Sequence, residues 1–421
     1  MKILIPDELP YSTGVESVVL SIVKEWLQEV DAVTWIVRDN DRVRTLREQL
    51  GAPSKLVFET YCEKKTQPFS RSRKTQPIGI FKSFVKKIPF IQRKAYAAYR
   101  SGIDQRIHQL AKASGASHCW FHFVQGQSVP RLAIPVAGLV HDQNFRFFPE
   151  NLPKGKGRQF ENALLDWLRN ADLVTVLSQA GKEEIHQLVA SPASRIEIIP
   201  NAITPPNTPV PLLSRETPHF LYPAAALSHK NHILLFQAAL LLKEISCKYK
   251  IILCGKDTDL FDQSKPISNP GVEAARQFYQ NHKQALASIF EFKGNCSRQE
   301  LDRLYSSVRA VVLPTKYEGF GLPLVEALSR STPVFCSQLV PFEEQVSRYD
   351  AENWVRFFNP EDPSTLAGLF REELLASGHS FKPQPFPIEN FSSWTWGDVA
   401  AKYMDLFTEL SLRKGKSLVS V

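Results

Sequence analysis

Apolar residues along this chain follow two alternating patterns. Short strand-like runs recur: KILIP, AVTWIV, HCWFHF, PVAGLV, LVTVLS and RIEII, then HFLYPAA, YKIILCG, IFEF and AVVLP. Between them lie stretches with a helical period. In GVESVVLSIVKEWLQE, Val15, Val18, Val19, Ile22, Val23, Trp26 and Leu27 fall at i, i+3, i+4, i+7, i+8, i+11 and i+12, the spacing of one helix face. HILLFQAALLLKEI predicts a further helix. SRQELDRLYSSV predicts another, which starts with a capping box from Ser297 to Glu300,. Strands alternating with helices predict parallel sheets built from βαβ units.

The chain has 421 residues, more than a single core ordinarily serves. Residues 200–218, PNAITPPNTPVPLLSRETP, hold six prolines in 19 positions and cannot enter a sheet or a helix interior,. The expected organisation is therefore an N-terminal Rossmann-like domain over 1–205, a linker over 206–218 and a second Rossmann-like domain over 219–390. The final stretch, 391–421, carries SSWTWGDVAAKYMDLFTEL, an amphipathic helix expected to close back on the first domain. The fold class is α/β: two doubly wound parallel-sheet domains facing a central cleft. Ligands in such sheets bind beyond the carboxyl ends of the strands.

Charge changes this picture in one place. Residues 64–103 hold 11 lysines and arginines and no acidic residue. The remaining 40 bases are outnumbered by 43 acids, so the net charge of +8 resides in that segment. Within 64–100 the bases alternate with Phe81, Phe84, Val85, Ile88, Phe90, Ile91 and Tyr96. That mixture suits an anionic membrane surface, or an anionic acceptor; it also suits a solvated loop and helix. No nucleic-acid-binding module accompanies it. No apolar run is long enough to span a bilayer, and Pro6, Asp7 and Glu8 interrupt the first apolar run before it reaches signal-peptide length. The expected location is cytoplasmic, with peripheral contact to the inner face of the membrane. Six cysteines, at 62, 119, 247, 254, 296 and 336, show no paired spacing and are expected as buried free thiols. No metal site is expected; Asp257-Thr258-Asp259 is a DxD pattern that sits in a polar loop.

The strongest chemical signal is PTKYEGFGLPLVEALSRSTPVFCS, residues 314–337. After the strand AVVLP the chain turns through Glu318, Gly319, Phe320 and Gly321 and enters a helix at Leu322 and Pro323, proline being favoured at a first helical position. Free N–H groups at such a start take an anion, and glycines let the backbone approach it. Glu326, one turn in, can accept from two neighbouring hydroxyls, as on a ribose. Glu318 lies on the other side of the anion position. The spacing suits ribose, diphosphate and sugar laid across one helix start.

EGFGLPLVEA resembles the glutamate-pair motif of the family 4 glycosyltransferases, retaining enzymes of the GT-B fold. FKGNCSRQELDRLYSSVRAVVLPTKYEGFG is similar to that family's approach to the pair, and YPAAALSHKNHILLFQAALLL to its lysine-bearing segment. VHDQNFRFFPENLP resembles its His-Asp segment, and LSQAGKEEI, RIEIIPNAI, FNPEDPSTLA and FSSWTWGDVAAKY follow in family order. The resemblance covers most of the chain outside about 40–115. It implies transfer of a sugar from a nucleotide diphosphate sugar, UDP- or GDP-linked, to a hydroxyl of a glycan or lipid-linked glycan, with no metal or other cofactor. Glu326 would hold the ribose, Glu318 the transferred sugar, and Lys230 the diphosphate. Gly14 would let the first domain close on the diphosphate, and His141 with Asp142 would stand on the acceptor side. Departures from the family pattern are His229 and Ala224 where arginine is common, and Ala202 after Asn201. Two other enzyme classes compete with this reading: an epimerase of the same fold, and a nicotinamide oxidoreductase, which the lack of GxGxxG disfavours. A non-catalytic binding module is the third.

Overall fold

The computed structural model describes residues 1–7, 13–51, 53–61, 89–206, 218–245, 248–375 and 385–419. The first sheet has seven parallel strands: β1 Lys2–Pro6, β2 Ala32–Val37, β3 Leu56–Thr60, β4 His118–Phe121, β5 Val136–Val140, β6 Leu173–Val176 and β7 Arg195–Ile198. Their order is β3-β2-β1-β4-β5-β6-β7. The second sheet has six: β8 His219–Pro223, β9 Lys250–Cys254, β10 Phe290–Gly294, β11 Ala310–Leu313, β12 Val334–Ser337 and β13 Val355–Phe358, ordered β10-β9-β8-β11-β12-β13. In each sheet the winding reverses once, between β1 and β4 and between β8 and β11. Loops leaving these strands open a crevice at the carboxyl edge, because the crossovers on either side depart in opposite directions.

Strands covered on both faces explain the near-continuous apolar runs. In β1, Ile3 and Ile5 enter one core while Leu4 enters the other, all at most 1% exposed. The helix Thr13–Glu29 buries Val18, Val19, Ile22, Val23 and Trp26 on the first of these faces. Trp26 meets Trp120 edge-on at 4.9 Å and Tyr403 at 5.8 Å. Its indole N–H donates to the Ala400 carbonyl at 3.2 Å, which satisfies the polar handle of a fully buried ring,.

Ala400 and Tyr403 belong to the last helix, Trp396–Val419. That helix therefore packs on the first sheet although it follows the second. His118 Nε2 meets the Phe407 carbonyl at 2.8 Å, Tyr403 and Thr175 share a hydrogen bond of 2.8 Å, and Lys414 pairs with Asp172 at 3.0 Å. Just before the helix, Trp394 Nε1 donates to the Pro200 carbonyl at 3.1 Å, so the end of the first sheet and the return crossing lie side by side.

Of the cysteines, Cys119 and Cys336 are buried free thiols. Cys254 and Cys296 are instead joined, with Cα atoms 6.2 Å apart, a separation a disulfide spans. The expectation of a free thiol fails at these two positions because neighbouring parallel strands bring their carboxyl ends together. Cys62, Cys247, the linker core 207–217 and basic residues 64–88 lie outside the described residues.

Candidate active site

Lys230 and Glu318 leave the two strands that flank the reversal in the second sheet. Beyond β8 the chain makes a short turn, Ser228–Lys230, whose next residue, Asn231, is left-handed at φ 55°. Hydrogen bonds to its carbonyls hold this turn: Tyr222 Oη donates to the Lys230 carbonyl at 2.5 Å. Thr315 Oγ1 and the Lys316 amide donate to the His229 carbonyl at 3.0 and 2.7 Å. The turn is thus stitched to the strand-exit loop that bears Glu318. Lys230 Nζ donates to Glu318 Oε1 at 2.5 Å, and both side chains are largely buried.

Glu326 sits in the helix Leu322–Leu328, with proline in its first turn and Gly321 before it at φ 94°. A side chain at Gly321 would be strained, and its Cβ would stand 2.5 Å from the Phe342 ring. Leu324 N–H closes onto the Gly321 carbonyl at 3.0 Å. Leu322, the first helical residue, precedes that first bond, where a helix start offers N–H donors with no intrahelical partner,. Glu326 itself is engaged: Arg298 Nη1 lies 2.5 Å from Oε1 and Tyr305 Oη donates to Oε2 at 2.9 Å. Tyr305 is buried, which pushes its phenol up and keeps it a donor.

The first domain meets this loop directly. At Gly319 an added Cβ would stand 2.0 Å from the His141 carbonyl oxygen and 3.0 Å from Asp142 Cβ. Glycine is required there by the approach of the two domains. By contrast, nothing lies within 4 Å of a Cβ at Gly14, so no contact inside the protein demands glycine.

His141 follows β5. Its Nε2 donates to the His122 carbonyl at 2.8 Å, and burial lowers its pKa to about 4. The ring is therefore neutral at pH 7, with Nε2 protonated and Nδ1 an acceptor. Asp142 is turned into its own loop: Oδ1 accepts from Asn144 N–H at 3.1 Å, while Gln125 donates to its backbone carbonyl at 2.8 Å. Burial raises its pKa.

His229 does not supply the missing cation. Asn151 reaches across from the first domain, its Oδ1 accepting from Ser228 N–H at 2.9 Å and from Asn269 Nδ2 at 2.8 Å. Its Nδ2 consequently faces His229 Nδ1, 2.9 Å away. Burial, and then neighbouring Lys230 and His232, lower the His229 pKa to about 3. The ring is neutral and its Nδ1 accepts.

Several residues at this junction had no signal of their own. Tyr317 Oη accepts from Gln143 N–H at 2.7 Å and donates to Glu184 Oε2 at 2.8 Å. Burial pushes Glu184 up to about 7. The Tyr317 ring lies 5.3 Å from Phe147, and Phe148 lies 5.6 Å from His229. The DxD stretch enters a short turn, Thr258–Asp262, with Thr258 buried and Asp259 accepting from Gln263 at 3.2 Å. Among the described residues, no cluster of three or more His, Cys, Asp or Glu is placed to hold a metal. No described helix is long and apolar enough to cross a membrane.

Two doubly wound sheets with an ion pair and a glycine-bordered helix start at their junction define the GT-B class of protein. Family models agree: the one described as Glycosyl transferases group 1 matches residues 207–372, and Glycosyltransferase Family 4 matches residues 12–205. Escherichia coli O-antigen chain mannosyltransferase B is 30% identical over 221 residues, 49% of this chain and 54% of that protein. The chain thus spans about half the length of that relative. A solved glycosyltransferase from Rickettsia africae overlays with a TM-score of 0.63 at 13% identity, covering 97% of this chain and 98% of that one. Anabaena HepE in complex with UDP and glucose overlays at 0.55 and 16% identity, over 100% of both chains. The chain belongs to the group 1, family 4 glycosyltransferases.

Proposed function

We propose that the protein transfers a sugar from a nucleoside diphosphate sugar to a hydroxyl of a growing glycan, with retention and without a metal. The carrying observation is the Lys230–Glu318 pair at the reversal of the second sheet, with Glu326 at the adjoining helix start. In this structure these two charges satisfy each other. A bound donor would divide them: Lys230 turns to the diphosphate, and Glu318 accepts from sugar hydroxyls. The backbone N–H groups at Phe320, Gly321 and Leu322, at the helix start, and the backbone at Gly14 would add donors to the diphosphate. Glu326 would exchange its Arg298 contact for the paired hydroxyls of the ribose. Lys230 then faces the charge that develops as the sugar leaves, where a fixed cation acts most strongly. The acceptor oxygen attacks on the face the phosphate vacates; its proton passes to a phosphate oxygen as the bond from C1 to the diphosphate breaks. Neutral His141, through Nδ1, accepts from a hydroxyl across the cleft beside Asp142.

Similarity to a mannosyltransferase of O-antigen chains supports a hexose such as mannose and a glycan acceptor. HepE, solved in complex with UDP and glucose, supports a nucleotide diphosphate donor. The basic segment 64–100 would rest the acceptor domain on the anionic inner face of the membrane and so present a lipid-linked glycan. Thermal stabilisation by UDP-, GDP- and ADP-sugars, each with and without EDTA, tests the donor site. A ligand at about 100 times its Kd adds roughly 2.7 kcal/mol. A shift from one nucleotide, unaffected by EDTA and lost in Glu326→Ala, supports the reading. A shift only with NAD(P), or only with metal, overturns it.

A further inference from the structure

Tyr317 stands one residue before Glu318, yet its hydroxyl is held wholly by the other domain. It accepts from the Gln143 amide, two residues after His141, at 2.7 Å and donates to Glu184 at 2.8 Å. Glu184 lies on the helix Gln179–Leu188, whose first turn Ser178 caps through the Gly181 amide at 3.1 Å. Arg146 completes the seat: one nitrogen donates to Gln143 Oε1 at 2.7 Å and to the Glu184 carbonyl at 3.0 Å. A single phenol thus gathers the His141 loop, a helix of the first domain and the Glu318 loop. Directly behind it, Gly319 is pressed against the His141 carbonyl.

We propose that Tyr317 is a positioning residue: its hydroxyl, bridging the Gln143 amide and the Glu184 carboxyl, latches the Glu318 loop onto the His141 loop and fixes the closed geometry. The catalytic consequence rests on the transferase reading, whereas the latch itself does not. Tyr317→Phe keeps the ring against Phe147 but leaves a partly buried amide and a carboxyl without their shared partner, which is costlier than never having had them. Glu184 adds a pH signature. Burial raises it to about 7, Asp142 pushes the same way, and Tyr317 and Arg146 act against the rise. Opening would admit water and return the group toward its ordinary 4.5. The closed form therefore binds the proton more tightly, so closure is favoured at lower pH and weakens as pH rises through about 7.

Hydrogen exchange on the full chain, corrected for the intrinsic pH dependence, decides the matter. Tyr317→Phe is expected to speed exchange at the Gln143 amide at least tenfold, with the strands of both sheets unchanged. In transfer assays it should lower kcat by about 10- to 100-fold and leave the donor KM within threefold. Glu184→Gln keeps a neutral acceptor, so it should retain wild-type protection and abolish the rise in exchange between pH 6 and pH 8; Glu184→Ala should open the latch. Unchanged exchange at Gln143 in Tyr317→Phe, or faster exchange spread over the whole chain, overturns the proposal. If Tyr317→Phe does not fold, the contrast between Glu184→Gln and Glu184→Ala decides it, and equal protection in both overturns it. Absence of transfer by the wild type with every donor would sink the proposed function, while the exchange data would still judge the latch.

Discussion

Lys230→Met removes the ammonium and keeps most of the side-chain stem, so it isolates the charge. In the folded protein Nζ lies 2.5 Å from Glu318 Oε1, with 17% and 14% of the two side chains exposed. Breaking one partner of a fully buried pair costs about 3–5 kcal/mol. Water reaches about a sixth of each group here, so roughly 2 kcal/mol is expected, within the range for one charge-assisted hydrogen bond. For a domain of this size that lowers the unfolding midpoint by about 4–8 °C. Glu318→Gln still offers the ammonium an oxygen and should cost about half as much. The double variant leaves neither charge unpaired, so the two losses should fall short of additive by about 1 kcal/mol. Catalysis should suffer far more: losing a fixed cation at the developing phosphate charge is worth about 100- to 1000-fold in kcat. Differential scanning fluorimetry and initial rates of transfer at 25 °C, well below either midpoint, measure both effects. A Lys230→Met enzyme within tenfold of wild type would refute the leaving-group role, and strict additivity would refute the coupling.

Gly319→Ala would place a methyl 2.0 Å from the His141 carbonyl, so the domains must part; transfer should fall at least tenfold with an unchanged circular dichroism spectrum, and an unaffected rate would refute the contact. Burial depresses His141 to about 4 and His229 and His232 to about 3, from an ordinary 6.5. Each stays neutral when folded but protonates near 6.5 when unfolded, so stability present above pH 6.5 is lost as pH falls toward 4, by up to about 1.4 kcal/mol per unit per histidine. Urea unfolding at pH 7.5 and 5.5 should show a shallower loss for His232→Phe than for wild type; equal losses would be the wrong outcome. Neutralising Lys82, Lys86, Lys87, Arg93 and Lys94 together should abolish sedimentation with anionic vesicles, at about 1 kcal/mol per charge. If sedimentation and activity both persist, the segment does not serve a membrane.

The central strands were legible in the sequence because both their faces are covered. Two strands without a clear signal, LVFET of β3 and VRFF of β13, each form one edge of their sheet and are only half-buried, which dilutes their apolar pattern, although the opposite edges, β7 and β10, are half-buried too and were still legible. The capping box was legible too, since Ser297 accepts from the Glu300 amide at 3.2 Å. Glu318, Glu326 and the glycines could be read because one strand-turn-helix carries them all. Tyr317 with Gln143 and Glu184, and Asn151 with His229, could not: their partners lie 174, 133 and 78 positions away. Contacts made by docking one domain on another impose no local period. The same holds for Cys254 and Cys296, 42 residues apart. Gly319 was legible as a residue, but the demand made on it by the neighbouring domain's backbone at His141 was not.

The polypeptide passes between the domains twice, and the indole of Trp394 ties the second passage to Pro200 beside the first. Two strands of chain anchored together act as two pins on one axle. A single tether would let the second domain swivel in any direction. Paired pins would restrict the twist and favour a swing that opens and shuts the crevice. Lys230 and Glu318 would then return to the same place opposite His141 at every turnover, with the register kept by the pivot, far from the chemistry.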